Sequence, residues 1–149
     1  RVNAVNFALE NDDGASSRGY QKADIILIGV SRTGKTPTSL YLALQFGILA
    51  ANYPLTEDDL DETQIPRLLR PYRDKLFGLS LDPELLAAIR HERRPDSRYA
   101  SLRQCLREVE EAEAMFSLNR INHLDVSSLS IEEVSTRIIA EAGLRRRFK

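Results

Sequence analysis

The sequence predicts an α/β fold in which a parallel sheet is flanked by helices. Three observations predict it: short apolar runs, helical spacings of apolar residues between those runs, and a glycine-bearing turn directly after the first convincing run. An apolar run without alternation is typical of a strand that is covered on both faces. Strands that alternate with helices indicate crossover connections, which place successive strands in parallel.

The predicted elements follow in chain order. A short helix at Val2–Leu9 precedes the polar stretch 10–22, whose glycine and serine content is typical of a loop or linker. Strands are expected at Ala23–Val30, Ile48–Leu55, Lys75–Leu81 and Ile121–Val126. Helices are expected at Thr36–Phe46, 84–94, Ser97–Phe116 and 131–142, with short helical turns at 56–74. Ligands of such sheets bind beyond the carboxyl ends of the strands, so the loops at that edge are where a site is expected.

Helix start signals support two of these helices. Asp82 precedes Pro83, which is the pattern of an N-cap residue followed by proline at the first helical position. Ser130 and Glu133 form a capping-box pattern that opens the last helix. Both helices therefore have local reasons to begin where the apolar spacing places them.

Composition excludes several classes of protein. The chain has 149 residues, which suggests one domain, and its formal net charge of -1 argues against a protein that coats nucleic acid. Every apolar run is much shorter than the roughly 20 residues of a membrane span. Cys105 is the only cysteine, so no internal disulfide can form and a reducing cytoplasm fits best. His91 and His123 lack partners at metal-ligand spacing, so we interpret both as structural and Cys105 as a core thiol.

The turn after the first strand carries the strongest functional motif. Its sequence, GVSRTGKT, matches G-x-x-x-x-G-K-[ST] at every fixed position. Glycines in such a turn let backbone N–H groups curl around an anion, and the helix that follows adds the positive end of its dipole. The predicted nucleotide-binding residues are Gly29, Val30, Ser31, Arg32, Thr33, Gly34, Lys35 and Thr36. This pattern favours a fold of the P-loop NTPase or kinase kind over the alternative, a glycine-bearing turn with an exposed lysine.

The side chains of this loop have the chemistry of phosphoryl transfer. Lys35 can reach terminal phosphates as a point charge, and Thr36 can hold Mg²⁺ through its hydroxyl. Arg32 is either a solvated side chain or a second cation beside the transferred phosphoryl group. We take Lys35 and Arg32 as candidate catalytic residues and Thr36 as the candidate metal ligand.

Two further candidates for catalysis are carboxylates. Asp82 follows the third strand, where a carboxylate can orient Mg²⁺ or accept a proton, although capping of the next helix is the favoured interpretation. Asp13 belongs with Asp12 to the sequence NDDG. This pair either forms a turn or provides a base toward an acceptor hydroxyl.

An arginine-rich stretch, IRHERRPDSRYASLRQ, follows the third strand around a break between helices. Arginine pairs with phosphate oxygens through two parallel hydrogen bonds, and phosphoryl-transfer enzymes often close a basic lid over their substrate. We therefore predict that Arg90, Arg94 and Arg98 form a phosphate-binding lid. The alternative is a solvated helix end, because cations also favour helix C-termini.

Five blocks of the chain resemble one protein family. They are NFALENDDG, GVSRTGKTPTSLYLA, ANYPLTEDDL, RPYRDKLFGLSLDPE and IRHERRPDSRYASLRQC. With these blocks the chain is similar to the phosphoenolpyruvate synthase regulatory proteins, the bacterial relatives of the plant pyruvate, phosphate dikinase regulatory protein. The resemblance extends over nearly the whole chain and is far more specific than the loop motif alone.

The resemblance implies a bifunctional cytoplasmic enzyme. One activity is a serine/threonine kinase that uses ADP to phosphorylate, and so inactivate, a threonine of phosphoenolpyruvate synthase. The other is a pyrophosphorylase that removes this phosphoryl group with inorganic phosphate and releases pyrophosphate. ADP, Mg²⁺ and inorganic phosphate are thus the implied ligands, and the synthase is the implied partner.

The resemblance also implies a domain division. Members of the family are longer at the N-terminus, so we expect residues 1–22 to be a helix and linker that follow another domain, and 23–149 to be the kinase/pyrophosphorylase domain. Whether the chain forms a homo-oligomer stays open.

Rival functions share the loop motif. A small-molecule kinase of the nucleoside or shikimate type would use the same loop and lid, and a nucleotide-binding docking module would keep the loop without catalysis. A GTPase-like switch is disfavoured, because the sequence contains no N-K-x-D stretch for reading guanine.

Overall fold

The computed structural model of the chain describes residues 2–12 and 17–144. Its strands are β1 (Ile25–Gly29), β2 (Ala50–Pro54), β3 (Leu76–Ser80) and β4 (His123–Asp125). They form one parallel sheet in the order β2-β1-β3-β4. The predicted α/β class is confirmed, although each strand is shorter than the apolar run that predicted it.

Helices connect and cover the strands. They are α1 (Val2–Glu10), α2 (Ser17–Lys22), α3 (Lys35–Phe46), α4 (Glu57–Asp61), α5 (Pro83–Arg93), α6 (Leu102–Leu118) and α7 (Ile131–Ala142), with a 3₁₀ segment at Arg67–Lys75. The short helical turns predicted for 56–74 are confirmed by α4 and the 3₁₀ segment. Within the described ranges, no helix is both long enough and apolar enough to cross a membrane.

Both faces of β1 are buried, as its unbroken apolar sequence predicts. Ile26 and Ile28 pack on one face in a core cluster that includes Phe116 of α6. Ile25 and Leu27 pack on the other face in a second core cluster, together with side chains of α3 and α7. Because alternate side chains of a strand point to opposite faces, a layer of helices lies on each side of the sheet.

The strand register brings the loops that follow β1 and β2 to one edge of the sheet. Gly29 lies opposite Pro54 in the parallel ladder, and the Leu55 N–H donates to the Gly29 carbonyl at 2.9 Å. The loop 29–36 leaves β1 at this edge and runs directly into α3. The candidate loop therefore begins where α/β sheets place their ligands.

The polar stretch 10–22, predicted as loop or linker, is partly helical. Its last residues form α2, and Tyr20 is fully buried. The centroid of the Tyr20 ring lies 6.5 Å from that of Tyr53 and 6.1 Å from that of Tyr72. The loop-like composition of this stretch is misleading, because burial of the Tyr20 ring overrides the low helix propensity of its neighbours.

Helix α6 begins at Leu102, five residues after the predicted start at Ser97. The hydroxyl of Ser101 accepts a hydrogen bond from the Gln104 N–H at 3.2 Å and so caps the helix. The segment 94–101, which we call the arginine segment, is not helical. The hydroxyl of Ser97 donates instead to the Arg94 carbonyl at 2.8 Å, a local bond that competes with helix formation.

Helix α1 is held against the sheet domain. Ala8 of α1 and Ala43 of α3 share a small buried cluster. The Asn52 N–H of β2 donates to the Asn11 carbonyl, just after α1, at 2.9 Å. These contacts place Asp12, the next residue, beside the same edge of the sheet as the loop 29–36.

We predict that Gly78→Ala lowers the free energy of unfolding by about 1–3 kcal/mol, because overpacking strains a well-filled core. A Cβ atom at Gly78 would lie 2.7 Å from the ring of Phe116, which is itself fully buried. Urea denaturation of Gly78→Ala, Phe116→Leu and the double variant tests the cause. The double variant should lose less free energy of unfolding than the sum of the losses of the two single variants. Losses that add exactly would contradict this explanation.

We also predict that Cys105 of the folded protein reacts very slowly with Ellman's reagent at about pH 8, near the ordinary thiol pKa. The side chain is fully buried, and this burial raises the pKa of the thiol despite the opposing charge of Arg90. The thiolate fraction therefore stays low in the folded state until the pH exceeds the ordinary thiol pKa. The same chain in denaturing urea should react at the rate of a free thiol, and equal rates in both states would contradict the prediction.

Candidate active site

A polar cleft lies at the edge of the sheet where the loop 29–36 enters α3. Its volume is about 640 Å³. The loop and the start of α3 contribute Ser31, Arg32, Gly34, Lys35, Thr36 and Pro37. Other segments contribute Asp12, Pro54, Ile89, Arg93, Arg94 and Tyr99. Most of the predicted loop residues therefore lie together around one opening.

The loop takes a backbone path that ordinary residues rarely adopt. Arg32 and Gly34 both have positive φ angles, of 73° and 88°. Gly34 is the N-cap of α3, and the first amides of a helix have no partner within the helix. The hydroxyl of Thr33 donates to the Val30 carbonyl at 2.9 Å and closes the turn. These amides, with the positive end of the helix dipole, form a site suited to an anion.

Gly29 has a packing role in addition to the predicted nucleotide contact, which stays a prediction. A Cβ atom there would lie 2.7 Å from the Leu79 carbonyl oxygen and 2.8 Å from the Thr33 hydroxyl. Glycine is therefore required by the close approach of β1 to β3 and to the turn. The loop begins at a point where no side chain fits.

Lys35 is held inside the loop. Its side chain is only 8% exposed, yet the residue lines the cleft. The ammonium group donates to the Val30 carbonyl at 2.8 Å. A buried stem with its charge at the cleft is an arrangement in which lysine can bind a phosphate oxygen as a point charge.

A carboxylate approaches the loop from outside it. Asp12 Oδ1 accepts a hydrogen bond from the Thr36 hydroxyl at 2.7 Å and another from Asn52 Nδ2 at 2.6 Å. Asn52 is fully buried on β2 and so fixes the carboxylate. The predicted candidate, Asp13, lies outside the described residues, whereas its neighbour Asp12 lines the cleft. The acidic pair in NDDG was the only signal in the sequence for this contact.

The three arginines of the predicted lid lie in different surroundings. Arg94 lines the cleft, and so does Arg93, which sequence reasoning did not select. Arg98 instead forms an exposed ion pair with Glu57 of α4 at 2.8 Å. Arg90 is fully buried and does not line the cleft, because it occupies the inward face of α5 one turn after the buried Leu86. The structure gives Arg90 buried structural contacts in place of the predicted phosphate contact, whereas phosphate binding by Arg98 stays a prediction.

Asp82 has the capping role that was favoured for it. Its carboxylate accepts a hydrogen bond from the Leu85 N–H at 3.2 Å, and its own N–H donates to the Ser127 hydroxyl at 2.8 Å. Asp82 does not line the polar cleft. A part for Asp82 in phosphoryl transfer stays a prediction.

A second, apolar cleft lies on the other side of the loop. Its volume is about 270 Å³, and its walls come from the loop, from α3 and from the segments that follow β3 and β4. The apolar lining includes Leu81, Leu85, Val126, Leu129 and Val134. Arg32, Gly34, Pro37 and Ile89 line both clefts, so the two clefts adjoin each other.

The polar cleft carries an excess of positive charge. Among the described residues that line it, four are cations, Arg32, Lys35, Arg93 and Arg94, and one, Asp12, is a carboxylate. Such a set attracts phosphate groups. In the described ranges, no cluster of three or more His, Cys, Asp or Glu side chains could hold a metal by itself. His91 Nδ1 accepts from the Asp96 N–H, in keeping with the structural role predicted for it.

This chain is similar to known proteins over nearly its whole length. The family model described as kinase/pyrophosphorylase matches residues 1–139. Proteins provisionally named phosphoenolpyruvate synthase regulatory protein are 61% identical over 146 residues in Marinobacter nauticus, 63% over 151 in Chromohalobacter salexigens and 59% over 149 in Stutzerimonas stutzeri. These matches cover 98%, 99% and 100% of this chain but 54%, 54% and 55% of the relatives. The chain therefore spans about half the length of the curated relatives it matches.

A solved structure shows a looser likeness. It is that of the YorR protein of Bacillus subtilis in complex with phosphorylated GDP. The identity is 15% and the TM-score 0.44, over 95% of this chain and 90% of that one.

Proposed function

The chain belongs to the kinase/pyrophosphorylase family, and on that premise we propose that it regulates phosphoenolpyruvate synthase by reversible phosphorylation of a threonine. ADP is the proposed phosphoryl donor, and inorganic phosphate is the proposed acceptor in the removal reaction. The observation that carries this proposal is the cleft in which four cations surround the amides at the start of α3. The relatives' names supply the synthase as the partner, and the family resemblance supplies ADP and threonine.

We propose one orientation for ADP across the two adjoining clefts. Its diphosphate would bind at the amides of the loop and at Lys35, where backbone donors and a charge converge. Its base would enter the apolar cleft, because a flat heteroaromatic ring is stabilised by aliphatic side chains such as Leu81 and Val126. The shared residues Arg32 and Gly34 then lie between base and phosphates.

The residues at the loop also fit Mg²⁺. The Thr36 hydroxyl is bonded to the Asp12 carboxylate at 2.7 Å, and both residues line the polar cleft. Hydroxyl, carboxylate and phosphate oxygens are the hard ligands that Mg²⁺ prefers. When bound, the ion would neutralise charge on the phosphate oxygens. Thr36 would hold it, and the bond to Asp12 would fix the hydroxyl for that purpose.

In the kinase direction, the threonine oxygen attacks the β-phosphorus of ADP. The new bond joins that oxygen to phosphorus, and the bond from the β-phosphorus to the bridging oxygen breaks, so AMP leaves. Lys35 and the arginines of the cleft stabilise the negative charge on the transferred group. The hydrogen bonds that Asp12 accepts from Thr36 and Asn52 both use Oδ1. We therefore propose that Asp12 Oδ2 accepts the proton of the synthase threonine.

In the removal direction, an oxygen of inorganic phosphate attacks the phosphorus of the phosphothreonine. The bond between that phosphorus and the threonine oxygen breaks, a proton returns to the threonine, and pyrophosphate forms. Two phosphate groups must then lie side by side, which explains why the cleft carries several cations. Arg93 and Arg94 face the loop from α5 and its end, and we assign the second phosphate to them.

The decisive experiment follows label from ADP to protein. The intact protein, phosphoenolpyruvate synthase and Mg²⁺ are incubated with ADP labelled in its β-phosphate. We expect label on a synthase threonine, and its release as pyrophosphate after inorganic phosphate is added. Transfer only from the γ-phosphate of ATP, or no transfer to the synthase at all, would overturn the proposal.

Lys35→Ala should weaken the binding of MgADP by at least about 10-fold, because a charge-assisted contact to phosphate is lost. Isothermal titration calorimetry measures the affinity, and circular dichroism checks that the helix content is unchanged. Lys22→Ala is the matched control, since Lys22 is exposed on α2 and lines neither cleft. Equal affinities for Lys35→Ala and the wild type would remove the loop from the mechanism.

Asp12→Asn should lower the rate of threonine phosphorylation by about 10²–10⁴-fold, the usual contribution of a general base. The asparagine oxygen can still accept from Thr36 and Asn52, so the affinity for MgADP should stay within about 3-fold of the wild type. Single-turnover transfer to the synthase measures the rate. Asp58→Asn, an exposed change on α4, is the control. A normal rate for Asp12→Asn would exclude Asp12 as the base.

A further inference from the structure

Arg90 joins three parts of the molecule that are far apart in sequence. Its Nε and Nη2 donate to the Ser31 carbonyl of the loop at 3.3 and 3.1 Å. Its Nη1 donates to the Tyr99 carbonyl of the arginine segment at 3.0 Å. Nη1 and Nη2 also donate to the two carboxylate oxygens of Glu108, on α6, at 3.1 and 2.9 Å. One side chain from α5 therefore ties the loop, the arginine segment and α6 together.

Only arginine can make this set of bonds. The guanidinium group is planar and carries five donors in fixed directions, whereas a lysine has one nitrogen with three donors. The same planar group also packs on the Tyr99 ring, with Cζ 4.3 Å from the ring centroid. Substitution by another cation would preserve the charge but not the contacts.

Arg90 keeps its charge in the interior because Glu108 lies directly against it. Arg90 is fully buried, and the Glu108 side chain is 11% exposed. Burial by itself lowers the pKa of Arg90, but the hydrogen bonds and charge of Glu108 outweigh this effect and raise it. Gln104 holds the carboxylate from one turn earlier in α6, donating to Glu108 Oε2 at 2.8 Å. A buried charge with a complete set of partners fixes its surroundings firmly.

The loop is held at a position that matters for ligand binding. In a trans peptide the C=O and N–H groups point in opposite directions, so a fixed Ser31 carbonyl also fixes the Arg32 N–H. The Ser31 hydroxyl makes a second link, a 2.6 Å hydrogen bond with the Tyr99 hydroxyl. Ser31, Arg32 and Tyr99 all line the polar cleft, although Arg90 does not.

We propose that Arg90, held by Glu108, is a positioning residue that fixes the loop 29–36 against the arginine segment, so that both bind the same phosphate groups. This inference rests on the proposed function for the identity of the ligand. Arg90 acts through Ser31 and Tyr99 and touches no reacting atom. Loss of the pair therefore separates the two halves of the cleft while leaving their own side chains intact.

The test uses Glu108→Gln and Arg90→Lys in the intact protein. Glu108→Gln keeps the size of the side chain but removes its charge, and Arg90→Lys keeps the charge but loses the planar group. Glu111→Gln is the matched control, because Glu111 forms an exposed ion pair with Arg107 on the same helix α6. Hydrogen exchange and MgADP affinity are measured for each variant.

Both variants should speed amide exchange in 29–36 and 94–101 and leave exchange in α7 unchanged. They should also weaken MgADP binding by about 10-fold and lower the rate of transfer to the synthase, since buried charged networks are strongly coupled. Glu111→Gln should match the wild type in all of these measurements. Having a second variant keeps the test decisive if one of them does not fold.

Two results would overturn the inference. Faster exchange spread evenly over all elements would mean that the pair supports only global stability. Unchanged exchange at 29–36 and 94–101, with wild-type affinity, would mean that it positions nothing. Failure of the proposed function is a distinct outcome, because the wild type itself would then not bind MgADP or modify the synthase, whereas the exchange measurements need no activity.

Discussion

The turn from β1 into α3 exposes backbone N–H groups that have no hydrogen-bond acceptor within α3. The rest of the site depends on this constraint. Four amides at the start of any helix lack partners within it. Here the turn is closed by the bond from Thr33 to the Val30 carbonyl, and Gly34, the N-cap of α3, takes a left-handed conformation that glycine adopts without strain. The amides are thus fixed before any ligand binds, which lowers the entropic cost of binding.

Packing remote from the loop holds it in this form. The sheet is covered on both faces, so β1 cannot shift, and Gly29 lies against the Leu79 carbonyl without space for a side chain. Helix α1 delivers Asp12 to Thr36, while α5 and α6 deliver the buried pair of Arg90 and Glu108 to Ser31. Cations and one carboxylate then meet at a single opening. A cleft of this kind suits chemistry that needs positioning and charge neutralisation more than a covalent intermediate.

Local signals in the sequence predicted the elements that depend on local physics. The apolar run of β1 and the caps at Asp82 and Ser130 each concern a few adjacent residues, and the structure agrees with them. Contacts between distant segments were not predictable in the same way. Arg90 was selected as a phosphate ligand because its neighbours are arginines, but its place on the inward face of α5 depends on Glu108, eighteen residues later. Tyr20 also depends on distant contacts. Its ring packs near Tyr53 and Tyr72, which lie far along the chain, so the local sequence predicts only a loop.

Amide NMR of the isotopically labelled protein during titration with MgADP tests the central claim most directly. If the amides at the start of α3 bind the diphosphate, the largest shifts fall on Gly34, Lys35 and Thr36 and saturate together. Smaller shifts should follow at the apolar cleft around Val126, where the base is proposed to lie. Saturable shifts confined to other elements, with the signals of 31–36 unmoved, would contradict the account.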